Sequence, residues 1–253
     1  MHRDQLVAYL DDHLNADAVS DAAVNGLQIE GRAEIRRLAT AVSASAALFR
    51  AATAWGADAV LVHHGLLWRR ADPQPITGAV RERLRVLLLD EVNLIAYHLP
   101  LDRHPEHGNN AVLARELGLA QLEPFGTYHG ATIGFAGVFA QPLTRDGLTP
   151  RVQQATGQPP LVFPADDEAL IASVGIVSGG APELFDEAVA AGLDAFITGE
   201  AREWVLHRAA EDGVTFVAAG HYATERFGVQ ALGDHLAARF DLEVQFFDFP
   251  NPV

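Results

Sequence analysis

An internal repeat constrains this chain more than any other feature of its sequence. Placing Gly56 on Gly192 also aligns Leu48-Phe49 with Leu184-Phe185, Asp58-Ala59 with Asp194-Ala195 and Leu61 with Ile197. In each copy an alanine-rich helical stretch ends at the glycine. A short apolar run follows, Ala57 to Val62 in the first copy, with the Val and Leu content of a buried strand. After a small slip in register, Val92-Asn-Leu-Ile-Ala matches Val214-Thr-Phe-Val-Ala, and each is followed by a His and an acid four residues apart: His98 and Asp102, then His221 and Glu225. Two units with the same order predict an α/β protein of two related lobes, each a mixed sheet flanked by helices. We place the first lobe at residues 1–125 and the second at 126–253, with the C-terminal segment packing back on the first.

The copies differ where chemistry would sit. His63 and His64 align with Gly199 and Glu200, so only one copy carries an imidazole pair. Strand ends are where α/β proteins open their binding crevices. Neighbouring strand residues point to opposite faces, so the pair can share a site only if the strand stops before it and Gly65 turns the backbone. With strand ends opposed, a cleft between the lobes would receive His63, His64, His98 and Asp102 from one side and His221 and Glu225 from the other, which is enough for two metals. The chain has no cysteine, so any metal is held by imidazole and oxygen. That donor set suits iron, zinc, manganese, cobalt or nickel and argues against a pure calcium or magnesium site. Two such cations roughly 3.5 to 4 Å apart need a bridging anion, for which Asp102 and Glu225 are candidates. A hydroxide held between them would be a nucleophile near neutral pH.

Eighteen basic residues against 33 acidic ones give a net charge of −15, which disfavours direct nucleic-acid binding. No secretory signal or membrane-length apolar stretch is visible, and the cytoplasm is the expected location. Walker, dinucleotide-binding and nucleophile-elbow motifs are absent. Local patterns predict an opening helix with Leu6, Val7, Leu10 and Leu14 on one face, an extended piece within Val24–Gly31, strands over 37–42 and 92–97, and helices over 45–55, 77–90 and 111–117. Pro73 and Pro75 mark a loop, and Asn109 and Asn110 read as helix caps. Arg69, Arg70 and Arg103 flank the ligand segments, where they either hold a phosphate or simply solvate the surface.

Five ordered blocks carry a resemblance over essentially the whole chain. Asn25-Gly-Leu-Gln-Ile-Glu-Gly31, Val62-His-His-Gly-Leu-Leu-Trp-Arg69, the segment from Tyr97 through His98 and Asp102 to Asn110, Thr198-Gly-Glu200 and Gly220-His-Tyr-Ala-Thr-Glu225 resemble the Nif-three-like dinuclear metal-centre family, also described as GTP cyclohydrolase I type 2-like. The resemblance implies two related α/β lobes and a metal pair on His63, His64, Asp102, His221 and Glu225. It also implies a toroidal homohexamer, in the short bacterial form with no inserted domain. In that pattern His98 is a second-shell partner or general acid rather than a ligand. Many relatives carry Asp where this chain has Val24, which leaves the substrate detail open. The implied function is a metal-dependent hydrolase acting on a nucleotide-like or other polar small molecule, with GTP ring opening as its most concrete version. Arg69 and Arg103 are the candidate substrate contacts. The alternative is a non-catalytic metal-handling or metal-stabilised scaffold protein.

Overall fold

Ser45 and Gly56 bracket the helix on which the first alignment rests. The Ser45 hydroxyl accepts the Leu48 N–H at 3.1 Å, and Gly56 closes the helix Ala46–Trp55 in the left-handed region at φ +85°. Gly192 takes the matching conformation at φ +67°, so the aligned glycines do the same conformational work in both copies. Leu48, Phe49 and Ala52 point inward and are fully buried.

The structure is a computed structural model that describes residues 1–69, 75–166 and 168–253. Arg70 and Pro73, singled out above, lie outside the described residues. In chain order the strands are β1 (Gly26–Ile29), β2 (Arg37–Ser43), β3 (Ala59–His64), β4 (Asn93–Ala96), β5 (Leu119–Tyr128), β6 (Ala131–Leu143), β7 (Leu161–Phe163), β8 (Ile171–Ile176), β9 (Ala195–Thr198), β10 (Thr215–Ala218) and β11 (Glu243–Phe246). They form two mixed sheets, ordered β1-β4-β3-β2-β11 and β5-β6-β8-β9-β10-β7. The described residues fall into two compact units, Met1–Leu101 with Gly228–Phe249, and Asp102–Phe227 with Pro250–Val253. Residues 102–125 thus fall in the second unit, where β5 pairs along β6.

The repeat holds at the level of single residues. In the first sheet Ala59 pairs with Leu38 and Asn93 in parallel ladders; in the second, Ala195 pairs with Val174 and Thr215. Asp58 Oδ2 accepts the backbone N–H groups of Arg36 and Arg37 at 2.8 and 3.0 Å. Its aligned partner Asp194 accepts those of Ala172 and Ser173 at 2.9 and 2.8 Å. One carboxylate therefore pins the start of the neighbouring strand in each unit. These positions were predicted to be equivalent, and the two-lobe α/β architecture follows from them.

Each sheet buries its own core. Val60, Val62, Leu94 and Ala96 share one face of the first sheet and pack with Leu48, Phe49, Val86 and Leu87. Ile171, Val174, Ile176, Ile197 and Val217 of the second pack with Leu113, Leu148 and Val152. The predicted helix over 77–90 is observed as Gly78–Leu89, and that over 111–117 as Asn109–Glu116. No helix among the described residues is long and apolar enough to cross a membrane.

Candidate metal centre

In the first unit, β3 continues through both histidines instead of stopping before them, and Ser43 still pairs with His64 in the ladder. The rings nevertheless approach to 4.7 Å between centroids. The reason lies next door: β4 ends at Ala96, and the chain beyond it brings His98 alongside, 4.9 Å from the His63 ring and 5.5 Å from the His64 ring. One ring nitrogen from each of His63, His64 and His98 lies within 4.8 Å of the others. Three imidazoles this close have the nitrogen donors that a borderline transition-metal cation prefers, so the cluster fits such an ion.

Each ring is held from behind. His63 Nδ1 faces the Tyr97 carbonyl at 3.1 Å, His64 Nδ1 faces Ser43 Oγ at 3.2 Å, and His98 Nδ1 faces Asp21 Oδ1 at 2.9 Å. Gly65 also serves differently from the expected turn: its φ is not in the left-handed region, but a Cβ there would lie 2.4 Å from the Gln28 amide. Gln28 uses that closeness to accept the N–H groups of Leu66 and Leu67 at 2.7 and 3.0 Å, clamping the loop that follows the histidines. The segment around Asn25-Gly26 is thus no free turn: Asn25 Oδ1 accepts the His98 N–H at 2.8 Å, and its amide reaches Asp21 at 3.1 Å.

Burial raises the Asp21 pKa, but hydrogen bonding and charge from His98, with the Ala23 N–H and the Asn25 amide, outweigh it and bring Asp21 to about 2. A carboxylate depressed below its unfolded value adds stability above that value and loses it as pH falls through the folded one. Asp21→Asn should therefore cost on the order of 1–2 kcal/mol at pH 6, with the gap closing below about pH 4. Urea midpoints measured against pH check this; a gap that is constant with pH contradicts it.

The helix His221–Phe240 starts in the second unit, where it presents His221 and Glu225 one turn apart. His221 Nε2 lies 3.1 Å from Glu225 Oε1, and His221 Nδ1 lies 2.5 Å from Glu200 Oε1. Burial opposes the charged ring, yet the two carboxylates prevail and lift His221 to about 9. Backbone presses close around this pair. A Cβ on Gly179 would sit 2.2 Å from Glu225 Oε1 and 3.2 Å from His221 Nε2, and one on Gly199 would sit 2.5 Å from the His221 Cα. The cradle formed by Ser178-Gly179-Gly180 carried no recognised signal in the sequence.

Asp102 is also buried, at 5% exposure. Asn109 Nδ2 and Ser178 Oγ donate to its Oδ1 at 2.8 and 3.1 Å. Asn110 donates to the Asp102 and Ile133 carbonyls at 3.2 and 2.8 Å and accepts the Ser178 N–H at 2.6 Å. The capping role expected for these asparagines is not what they do: Gly108 is the N-cap, and both amides turn inward to hold Asp102 and its neighbours. Of the arginines, Arg103 is half-buried beside Asp102. Arg69 is exposed and lines a first-unit cavity of about 380 Å³ together with Asp11, Asp17 and Asp21.

A two-unit α/β protein with imidazole and carboxylate donors at its strand ends and on the first turns of its last long helix is what the fold and these residues define. The chain belongs to the Duf34/NIF3 (NGG1p interacting factor 3) family, whose profile matches residues 1–252. It is 45% identical over 251 residues to a GTP cyclohydrolase 1 type 2 homolog of Pasteurella multocida, covering 98% of each chain. Among solved structures it is similar to protein ybgI, described as of unknown function, with TM-score 0.94 and 40% identity over 100% of both chains. It is also similar to TTHA1606 from Thermus thermophilus, with TM-score 0.91 and 40% identity, again over 100% of both. The family resemblance read from the five blocks is confirmed.

Proposed function

We propose that the protein is a dinuclear-metal-dependent hydrolase whose ligands are His63, His64, Asp102, His221 and Glu225. The observation that carries this reading is the gathering of His63, His64 and His98, each held from behind so that its imidazole is oriented. In the second unit, Glu225 beside His221 and the inward-held Asp102 offer the carboxylate oxygens that a pair of cations requires. When bound, two iron, zinc, manganese, cobalt or nickel ions would supply Lewis acidity and a hydroxide nucleophile at neutral pH.

The chain's own residues set the surroundings. His98, fixed by Asp21, stands beside the His63 and His64 rings, where it can pass a proton to or from a bound substrate. Arg69 and Arg103 are the proposed substrate contacts. The cavity beside Arg69 is also lined by Asp11, Asp17 and Asp21, an acidic setting that disfavours bare phosphate there. The name of the Pasteurella relative supports a cyclohydrolase-type ring opening of a nucleotide-like substrate. A ring-shaped homohexamer rests on the family resemblance and is checked by light scattering.

The first experiment is metal content by mass spectrometry on protein purified without chelator or nickel resin. About two transition-metal ions per chain are expected, and the double variant His63→Ala/His64→Ala should lose at least one. Metal content that ignores both substitutions sinks the assignment. Glu225→Gln then separates catalysis from metal handling: loss of turnover on GTP or a related heterocycle, with metal retained, supports the enzyme, whereas joint loss of metal and assembly supports a scaffold.

A further inference from the structure

The second histidine arm is gripped at one nitrogen by a carboxylate outside the proposed ligand set. Glu200 Oε1 lies 2.5 Å from His221 Nδ1, while the other ring nitrogen, Nε2, faces Glu225 Oε1 at 3.1 Å. The first unit repeats the device with a residue from elsewhere in the chain, Asp21 on His98 Nδ1 at 2.9 Å. Glu200 follows β9 at the position that aligns with His64, so the repeat has placed a carboxylate where the other copy has an imidazole.

We propose that Glu200 is the positioning residue for His221, fixing its tautomer and rotation so that Nε2 is presented to a divalent transition-metal ion. This rests on the metal-centre reading above. An ionised carboxylate only accepts hydrogen bonds, so Glu200 keeps a ring proton on Nδ1, and the proton on Nε2, the nitrogen facing Glu225, is the one given up when a metal ion binds there. A carboxylate behind a ligating imidazole also raises its basicity and restricts its rotation.

The local backbone is built to allow the contact. Gly199 precedes Glu200, and a Cβ there would lie 2.5 Å from the His221 Cα and 2.8 Å from its backbone nitrogen. A Cβ on Gly180 would lie 3.2 Å from Glu200 Oε1. Two glycines thus let strand end, loop and helix start converge on one imidazole. Glu200 and His221 are each about one-third exposed, while Glu225 on the far side of the ring is buried.

The full chain, stripped with chelator, is titrated with zinc against a chromophoric competitor as wild type, Glu200→Gln and Glu200→Asp. The wild type should take up two ions. In Glu200→Gln one of the two dissociation constants should weaken 10- to 100-fold while the other holds, and Glu200→Asp should recover part of the loss. The melting point of the stripped protein should change little. Unchanged zinc affinity overturns the proposal, as does a lowered melting point with equal weakening of both ions, which would mark a purely structural contact. Complete loss of one ion in both variants also overturns it, since Glu200 would then be a ligand itself. If Glu200→Gln does not fold, Glu200→Asp decides by the same affinity comparison. A wild type that binds no zinc overturns the metal-centre reading and this inference together, and is distinguished because the failure appears before any substitution.

Discussion

Asn110→Ala lowers the unfolding free energy by on the order of 3 kcal/mol, as read from urea denaturation with an unchanged slope. The residue is fully buried, and its amide satisfies three backbone groups: the carbonyls of Asp102 and Ile133 and the N–H of Ser178. Alanine leaves all three in a space no longer filled by protein. Each unsatisfied buried group costs about 1–3 kcal/mol, and water entering the vacated space recovers part of that. The damage extends to Asp102, whose backbone and side chain are held by Asn110, Asn109 and Ser178 together. Metal uptake should therefore weaken along with stability. A loss below about 1 kcal/mol would show that solvent replaces the amide fully and that the network is not what holds Asp102 in place.

Gly179→Ala separates stability from ligand placement. Gly179 has φ +70°, where alanine is strained by roughly 1–2 kcal/mol, and its new Cβ would arrive 2.2 Å from Glu225 Oε1. The obstructed atom is the tip of a side chain that can swing away, so the fold survives with about the strain cost alone. The site does not: moving Glu225 separates its carboxylate from His221 Nε2. Zinc affinity at the His221 and Glu225 donors should fall at least tenfold while the folded fraction at 25 °C stays near that of the wild type. Equal affinity in the variant and the wild type would mean that Glu225 takes no part in holding the ion.

The lobes and their repeat were readable because both rest on local patterns, the short apolar runs and the capped alanine-rich helices. Asp58 and Asp194 show why the alignment succeeded: each turns a carboxylate back onto its neighbouring strand and accepts two backbone N–H groups there. The histidine cluster was half legible. Its residues announce themselves by type, but the prediction that β3 must end before His63 failed, because the room for convergence comes from the early end of β4. Asn109 and Asn110 were misread since capping is a local property, whereas Asn109 reaches back to the Asp102 side chain and the partners of Asn110, Ile133 and Ser178, lie far along the chain. Glu200 stood out in the repeat and in a family block, but its contact with His221 did not, and Gly179 gave no signal, for a related reason. A carboxylate after a strand and a pair of glycines in a loop acquire meaning only once a helix beginning more than twenty residues later is docked against them.

The position of β11 bears on how the protein is made. Glu243–Phe246 pairs in parallel with Arg37–Thr40 of β2, closing one edge of the first sheet with residues almost at the end of the chain. During synthesis the β2 edge would therefore stay unpaired until residues 243–246 emerge, whereas the second unit, nearly all of it within residues 102–227, would have its chain available earlier. The lobe translated first is completed last. Early termination anywhere before residue 243 would leave β2 as an open template for wrong pairing, so truncated products of this gene should aggregate in preference to persisting as half-proteins.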